Sequence, residues 1–164
     1  MPAGVSAITA LANITLANST TTTVTFSSIS GSYRDLLIVW SGTTQSTSGN
    51  RFYLNNDQTF GNTHYVAGWG SGSSIFASQA TNQGFIISID VNSTTTQNQS
   101  VIHVMDYAQT DKHKTILSRA DVPNLGVVMQ ASRWTSTAAV TSVVVNNAAV
   151  WNSGTTISLY GVSS

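Results

Sequence analysis

In a chain of 164 residues, Ser, Thr, Asn and Gln fill 68 positions, Glu is absent, and six Lys/Arg balance six Asp to a formal net charge of zero. So few charges project almost no long-range field, which excludes the basic surface of a nucleic-acid binder and argues against an enzyme that steers ionic substrates. The absence of cysteine excludes a disulfide scaffold, a Cys-based zinc site and a thiol nucleophile, and the length suits one domain that buries most of its apolar surface without staples.

The first twelve residues are uncharged, small and mildly apolar, with Pro2 and Gly4 set against helix or a central strand. No basic region followed by an apolar run of signal-peptide length opens the chain. Residues 1–12 therefore read as an arm that gains stability by lying on a neighbouring subunit, with Pro2, Val5, Ile8 and Leu11 as its contacts, the alternative being a flexible tail, and residues 13–164 as a single domain. From there, runs of β-favouring residues recur between Gly, Asn, Ser and Asp punctuation. They predict strands at Asn13–Leu16, Thr21–Ser27, Asp35–Ser41, Arg51–Leu54, His64–Ala67, Gly84–Asp90, Val101–Tyr107, Lys114–Arg119, Val127–Trp134, Val140–Asn146 and Thr156–Val162. Eleven short strands without helical periodicity predict an all-β, jelly-roll-like β-sandwich of about 8–11 antiparallel strands. Its predicted core is Val24, Phe26, Leu36, Ile38, Phe52, Ile87, Ile102, Val104, Ile116, Val128, Val144 and Leu159.

Three runs break the alternation of a half-buried strand. Leu36-Leu37-Ile38-Val39-Trp40, Phe85-Ile86-Ile87-Ser88-Ile89 and Val143-Val144-Val145 are apolar on both faces, as in central strands covered by a loop or by a partner subunit. Between strands, Ser41–Asn50 carries no large apolar residue, while Gly61–Gly84 sets Trp69, Ile75 and Phe76 among Gly and Ser. Here the sequence predicts a loop that offers Trp69, Phe76 and the nearby Tyr65 as contact residues; the alternative is that Trp69 tucks over one end of the sandwich. No apolar run approaches the length of a membrane-spanning helix, so a membrane is not an expected partner.

Signals for chemistry are sparse. The six Asp have no spacing that sets two carboxylates across a glycosidic bond. Gly70-Ser71-Gly72-Ser73 lacks the frame of a nucleophile elbow, and no phosphate-binding Gly-rich motif is present. His64, His103 and His113 lack metal-ligand spacing, and Asn55-Asn56-Asp57 lacks the acidic density of a calcium loop and reads as a turn. On an extended Val101–Tyr107 strand, His103 faces away from Asp106, which opposes a catalytic dyad. Asp106 is expected to cap a turn by accepting backbone amides, and Asp111–Lys114 to form a charged hairpin turn. Neither catalysis nor a cofactor is expected.

Taken in order, Gly31-Ser32-Tyr33-Arg34-Asp35-Leu36, Arg51-Phe52 leading to Asn55-Asn56-Asp57, His64-Tyr65, Asp106-Tyr107 with Lys112 and Lys114-Thr115, Arg133-Trp134, and Ser158-Leu159-Tyr160-Gly161-Val162 resemble a group of small β-sandwich structural proteins of tailed bacteriophages. The resemblance covers most of the chain after about residue 20; Asn56 stands where that group carries Gly, and Asn62 and Tyr65 are spread apart. It implies a virion component, assembled in the cytoplasm of a bacterial host. With one domain and no shaft repeats, decoration of the head is favoured over a fibre. Such a protein would bind the major capsid protein as a homotrimer and cement the shell. The rival is a tail module that binds a host surface glycan through exposed aromatics.

Overall fold

The computed structural model describes residues 7–83, 86–87, 93–123 and 126–163, the side chains of 82, 83, 86, 87 and 122 excepted. Twelve strands run through these residues and no helix does. In chain order they are β1 (Ile8–Thr15), β2 (Thr23–Phe26), β3 (Asp35–Gly42), β4 (Asn50–Leu54), β5 (Thr63–Gly70), β6 (Ile75–Gln83), β7 (Ile86–Ile87), β8 (Asn98–Val104), β9 (Lys114–Val122), β10 (Gly126–Trp134), β11 (Val143–Asn147) and β12 (Thr156–Val162). All pairings are antiparallel, in an eight-stranded sheet of order β1-β12-β3-β8-β9-β10-β5-β6 and a four-stranded sheet of order β2-β11-β4-β7. The fold is thus an all-β sandwich, with one strand more than the eleven that the sequence predicts.

The core lies where the two sheets face each other. In the large sheet, Leu159, Ile38, Ile102 and the opposing Ser118 form one cross-strand row, with Leu36, Val104 and Ile116 in the next. In the small sheet, Phe26, Val143 and Leu54 form one row and Val24, Val145 and Phe52 another. All of these apolar side chains are buried in one cluster, joined by Trp40, Trp134 and Trp151. Fully burying a Leu, Ile, Val or Phe side chain stabilises by roughly 1.5–3 kcal/mol, so these rows dominate folding and fix the register. Of the predicted core, eleven residues are buried, and Ile87 lies among those whose side chains are not described. Val144 is buried, but its strand neighbours Val143 and Val145 are the ones that face the large sheet.

Four local expectations change. The first strand begins at Ile8, not Asn13, and pairs with β12 from Ile8↔Val162 to Thr15↔Thr156, so residues 8–12 belong to the sheet and not to a free arm. Within the Gly61–Gly84 stretch, Thr63–Gln83 forms a hairpin, because Ser71-Gly72-Ser73-Ser74 makes a turn with Gly72 at φ 83° and joins β5 to β6. Strand β8 ends at Val104, and Asp106 at φ 48° turns the chain so that Tyr107 enters the core. Its hydroxyl donates to the Ser30 carbonyl. Finally, Lys114 is not in an exposed turn but fully buried at the start of β9. The predicted strand over Gly84–Asp90 is described only at Ile86–Ile87.

Candidate interaction surface

Each strand of the large sheet turns one set of side chains to the core and the other to the outer face, away from the four-stranded sheet. Register carries one outer row from Tyr160 through Leu37, His103, Leu117, Ala131 and Val66 to Gln79. The adjacent row runs from Val39 through Val101, Arg119, Met129 and Gly68 to Ala77. Val127, opposite Asp121 and Gly70, extends a third row to Ile75. On this one face Val66 (61%), Leu117 (42%), Val127 (63%), Met129 (68%) and Ile75 (91%) are exposed. Isolated exposed apolar residues are ordinary, but neighbours across four adjacent strands form a patch of the kind that marks a docking surface.

Relief on the face follows from its side chains. A trough of about 700 Å³ runs over Gln99, Val101, Arg119, Asp121, Val127 and Met129. It is continuous through Val101, Arg119 and Met129 with a smaller hollow of about 250 Å³ floored by Leu37, His103 and Leu117. Asp121 accepts from the Gln99 amide. The surface is thus largely apolar, with a few polar groups to set register.

At one end of the face lies the one His–carboxylate pair among the described residues. His103 Nε2 is 3.0 Å from Asp35 Oδ2, and Arg34 reaches the same oxygen at 3.0 Å. The other carboxylate oxygen accepts the backbone N–H of Asp106 at 2.9 Å. Burial pushes the Asp35 carboxyl upward, but the Asp106 amide, His103 and Arg34 together outweigh it and hold it below its usual range. Thus Asp35, not Asp106, caps the turn. Asp106 instead pairs with Lys112 at 3.2 Å on the surface. With both carboxylate oxygens occupied, Asp35 ties β3 to the end of β8 and orients the imidazole. In the hollow beside His103 the other residues are Leu37, Val101, Leu117, Ser118, Arg119 and Met129, and Ser118 belongs to the core-facing row.

Several of the motif residues prove to be fasteners of the fold. Asn55 and Asn56 both adopt left-handed φ, at 52° and 54°, a conformation Asn tolerates better than most residues, so Asn56 serves where a Gly was expected. The Asn55 side chain donates to Ala139 O and accepts from Thr141 N, both at 2.8 Å. Asp57 accepts from Thr59 N, Asn62 Nδ2 and Trp134 Nε1 at 2.9, 2.8 and 2.7 Å. Burial raises the Asp57 carboxyl, yet these donors outweigh it and bring its pKa down to about 2. Lys114 Nζ donates to the carbonyls of Gln109, Lys112 and Thr137 at 2.6, 3.1 and 3.2 Å. Its pKa is lowered, chiefly by burial. Among the described residues, no group of three His or Asp side chains is arranged to hold a metal ion.

The contact residues expected from the sequence do not gather on one surface. Ile8 sits exposed on edge strand β1. Leu11 packs against the core and lines a 450 Å³ cleft between the sheets, together with Phe26, Ser30 and Tyr33. Tyr65, Trp69 and Phe76 lie on the core-facing side of β5 and β6, not the outer face. Trp69 stacks on its cross-strand partner Phe76, with ring centroids 5.6 Å apart and an 18° angle between planes, so it is no tethered loop residue. Pro2 and Val5 fall outside the described residues. The outer-face patch itself was missed, although Val127-Val128-Met129 and Ile116-Leu117 carry the same two-faced apolar signal as Leu36–Trp40.

No known protein family and no curated protein matches this sequence. Among solved structures, the chain is similar to the galectin LEC-6 of Caenorhabditis elegans at 13% identity and a TM-score of 0.39, over 93% of this chain and 96% of the galectin. Similarity to the alginate lyase Aly36B, in complex with alginate trisaccharide, is at 11% identity and a TM-score of 0.40, over 92% of this chain and 78% of the lyase. With the exo-inulinase of Aspergillus awamori the values are 9% and 0.44, over 94% of this chain but only 29% of the enzyme. At such identities the likeness concerns the layered all-β architecture alone.

Proposed function

We propose that this protein is a non-enzymatic structural component of a tailed-bacteriophage virion, a capsid decoration protein that binds the outer head shell as a homotrimer and stabilises it. The observation that carries the proposal is the outer face of the eight-stranded sheet, where Val66, Leu117, Val127, Met129 and Ile75 stand exposed on neighbouring strands. A face this apolar on a chain this poor in charge suits attachment by buried area and hydrogen bonds, repeated over several subunits so that modest contacts add through multivalency. The resemblance of the ordered motifs supports a virion component. Among them Asp35, Asn55, Asp57, Tyr107, Lys114 and Trp134 are engaged in turns and cross-links, the work expected of a building block. Mass-calibrated composition of purified particles, with imaging of a tagged copy, tests the proposal: hundreds of copies on the head are expected. Absence from heads would overturn it.

The competing function is a tail module for a host surface glycan. The Trp69–Phe76 stack on β5 and β6 favours it, since aromatic faces bind sugar rings. A few tens of copies or fewer, confined to the tail, would select it.

A further inference from the structure

The outer face ends in a cleft whose largely apolar walls carry two basic side chains, His64 and Arg133. Arg133 on β10 and His64 on β5 are direct cross-strand partners. Such partners hold their Cβ atoms about 4.5–5.5 Å apart, and two basic side chains so placed add nothing to the sheet's own stability. Among the described residues the ion pairs join Arg34 and His103 to Asp35 and Lys112 to Asp106, and Arg133 takes part in none. Beside them the edge strand bulges: Thr63 pairs with Gln83 but Tyr65 with Ala80, so two residues of β6 face the single residue His64. Bulges of this kind re-aim side chains and are frequent next to binding sites. A cleft of about 310 Å³ opens there, with Gln79, Thr81 and Thr115 as further donors and Val66 and Ala131 as apolar flanks.

We propose that Arg133 and His64 form a binding site for the carboxylate of an acidic side chain presented by a partner protein. The proposal rests on the outer face being the docking face, and names the polar anchor at its edge. The planar guanidinium offers two parallel N–H donors that match the two oxygens of a carboxylate. One fixed positive charge, backed by an imidazole, an amide and hydroxyls, balances a monoanion better than a phosphate dianion. Val66 and Ala131 cover the methylene stem that an Asp or Glu side chain would bring.

The test uses the full chain and follows the His64 ring and the Arg133 guanidinium by NMR while N-acetyl-glutamate methylamide is added, with inorganic phosphate in a parallel titration. Saturable shifts at both groups are expected with the capped glutamate. They should weaken about tenfold in Arg133→Gln, the loss of one charge-assisted pair, and less in Arg133→Lys. Phosphate should bind more weakly. Arg133 is exposed, so both variants should retain the wild-type melting temperature. The site is refuted if capped glutamate moves neither group even at tens of millimolar, if Arg133→Gln binds equally well, or if phosphate binds more tightly. Attachment to particles is measured separately. Absence of glutamate binding in the wild-type chain with its attachment intact therefore refutes the site alone, whereas a failed attachment test refutes the docking face.

Discussion

Asp57 in the turn after β4 accepts the indole N–H of Trp134, the last residue of β10, at 2.7 Å. This one bond fastens the small sheet's turn to the large sheet's end, and the same carboxylate organises its own turn through Thr59 and Asn62.

Stability should consequently fall in acid through Asp57. Its folded pKa of about 2 lies below the ordinary value of 3.8, so its contribution is fully present above about pH 4 and is lost as pH drops towards 2. The difference corresponds to about 2 kcal/mol. Urea unfolding at stepped pH should show Asp57→Asn less stable than the parent at pH 6, with a shallower acid slope. Asp35, also lowered, accounts for part of the slope that remains.

Lys114 makes a sharper case. Replacement by Met keeps its bulk but strands the carbonyls of Gln109, Lys112 and Thr137, so a loss of about 3 kcal/mol or more is expected. Lys112, which is half-exposed and pairs only with Asp106, should lose under about 0.5 kcal/mol on the same change. Equal denaturation midpoints for the two variants would mean that the buried ammonium does not hold the β8–β9 connection.

Gly161 lies under Tyr33. A Cβ there would stand 2.4 Å from the ring's Cγ, closer than any real contact, so Gly161→Ala should cost about 1–3 kcal/mol through displaced packing. Adding Tyr33→Ala should recover part of that loss, and a double-mutant cycle on melting temperature would display the coupling.

On the outer face, Leu117→Lys and Met129→Lys change exposed side chains that lie outside the core cluster, so melting should shift little. Attachment to heads should nevertheless fall at least tenfold in the double variant, and parent attachment should vary little with salt. Unchanged attachment of the variant would remove this face from the docking model, and steep salt dependence would point to an ionic interface.

How far the fold could be read from the residues depended on what each residue answers to. Alternation in Val24/Phe26 and Ile157/Leu159 reports burial directly, and eleven of the twelve predicted core positions are buried, although Val144 lies outside the cluster between the sheets. Strand β6 was invisible because Ile75–Gln83 contains mostly small and polar residues; its pairing is imposed by the Ser71–Ser74 turn and by Trp69 across from Phe76. Strand β1 starts ahead of the predicted Asn13, since Ala10 and Ala12 carry little β signal and Ile8–Ala12 is held by β12. The Asp35–His103 link joins residues 68 apart in sequence, and no local spacing announces it. The outer-face patch was legible in Val127-Val128-Met129 but had to be told apart from a doubly covered strand. That distinction needs the second sheet in place.

Strand order also governs when this sheet can form. Strand β12 lies between β1 and β3, bonded to both, although residues 156–162 follow every other described strand in the sequence. Until they leave the ribosome, β3 lacks one of its two neighbours, and Leu36, Ile38 and Trp40 lack the side chains of Ile157 and Leu159 beside them. Folding of the large sheet must therefore wait for this strand and bring distant segments together, a slow course. A nascent chain stalled before residue 156 would display an open seam in its widest sheet, where a strand from another chain could enter.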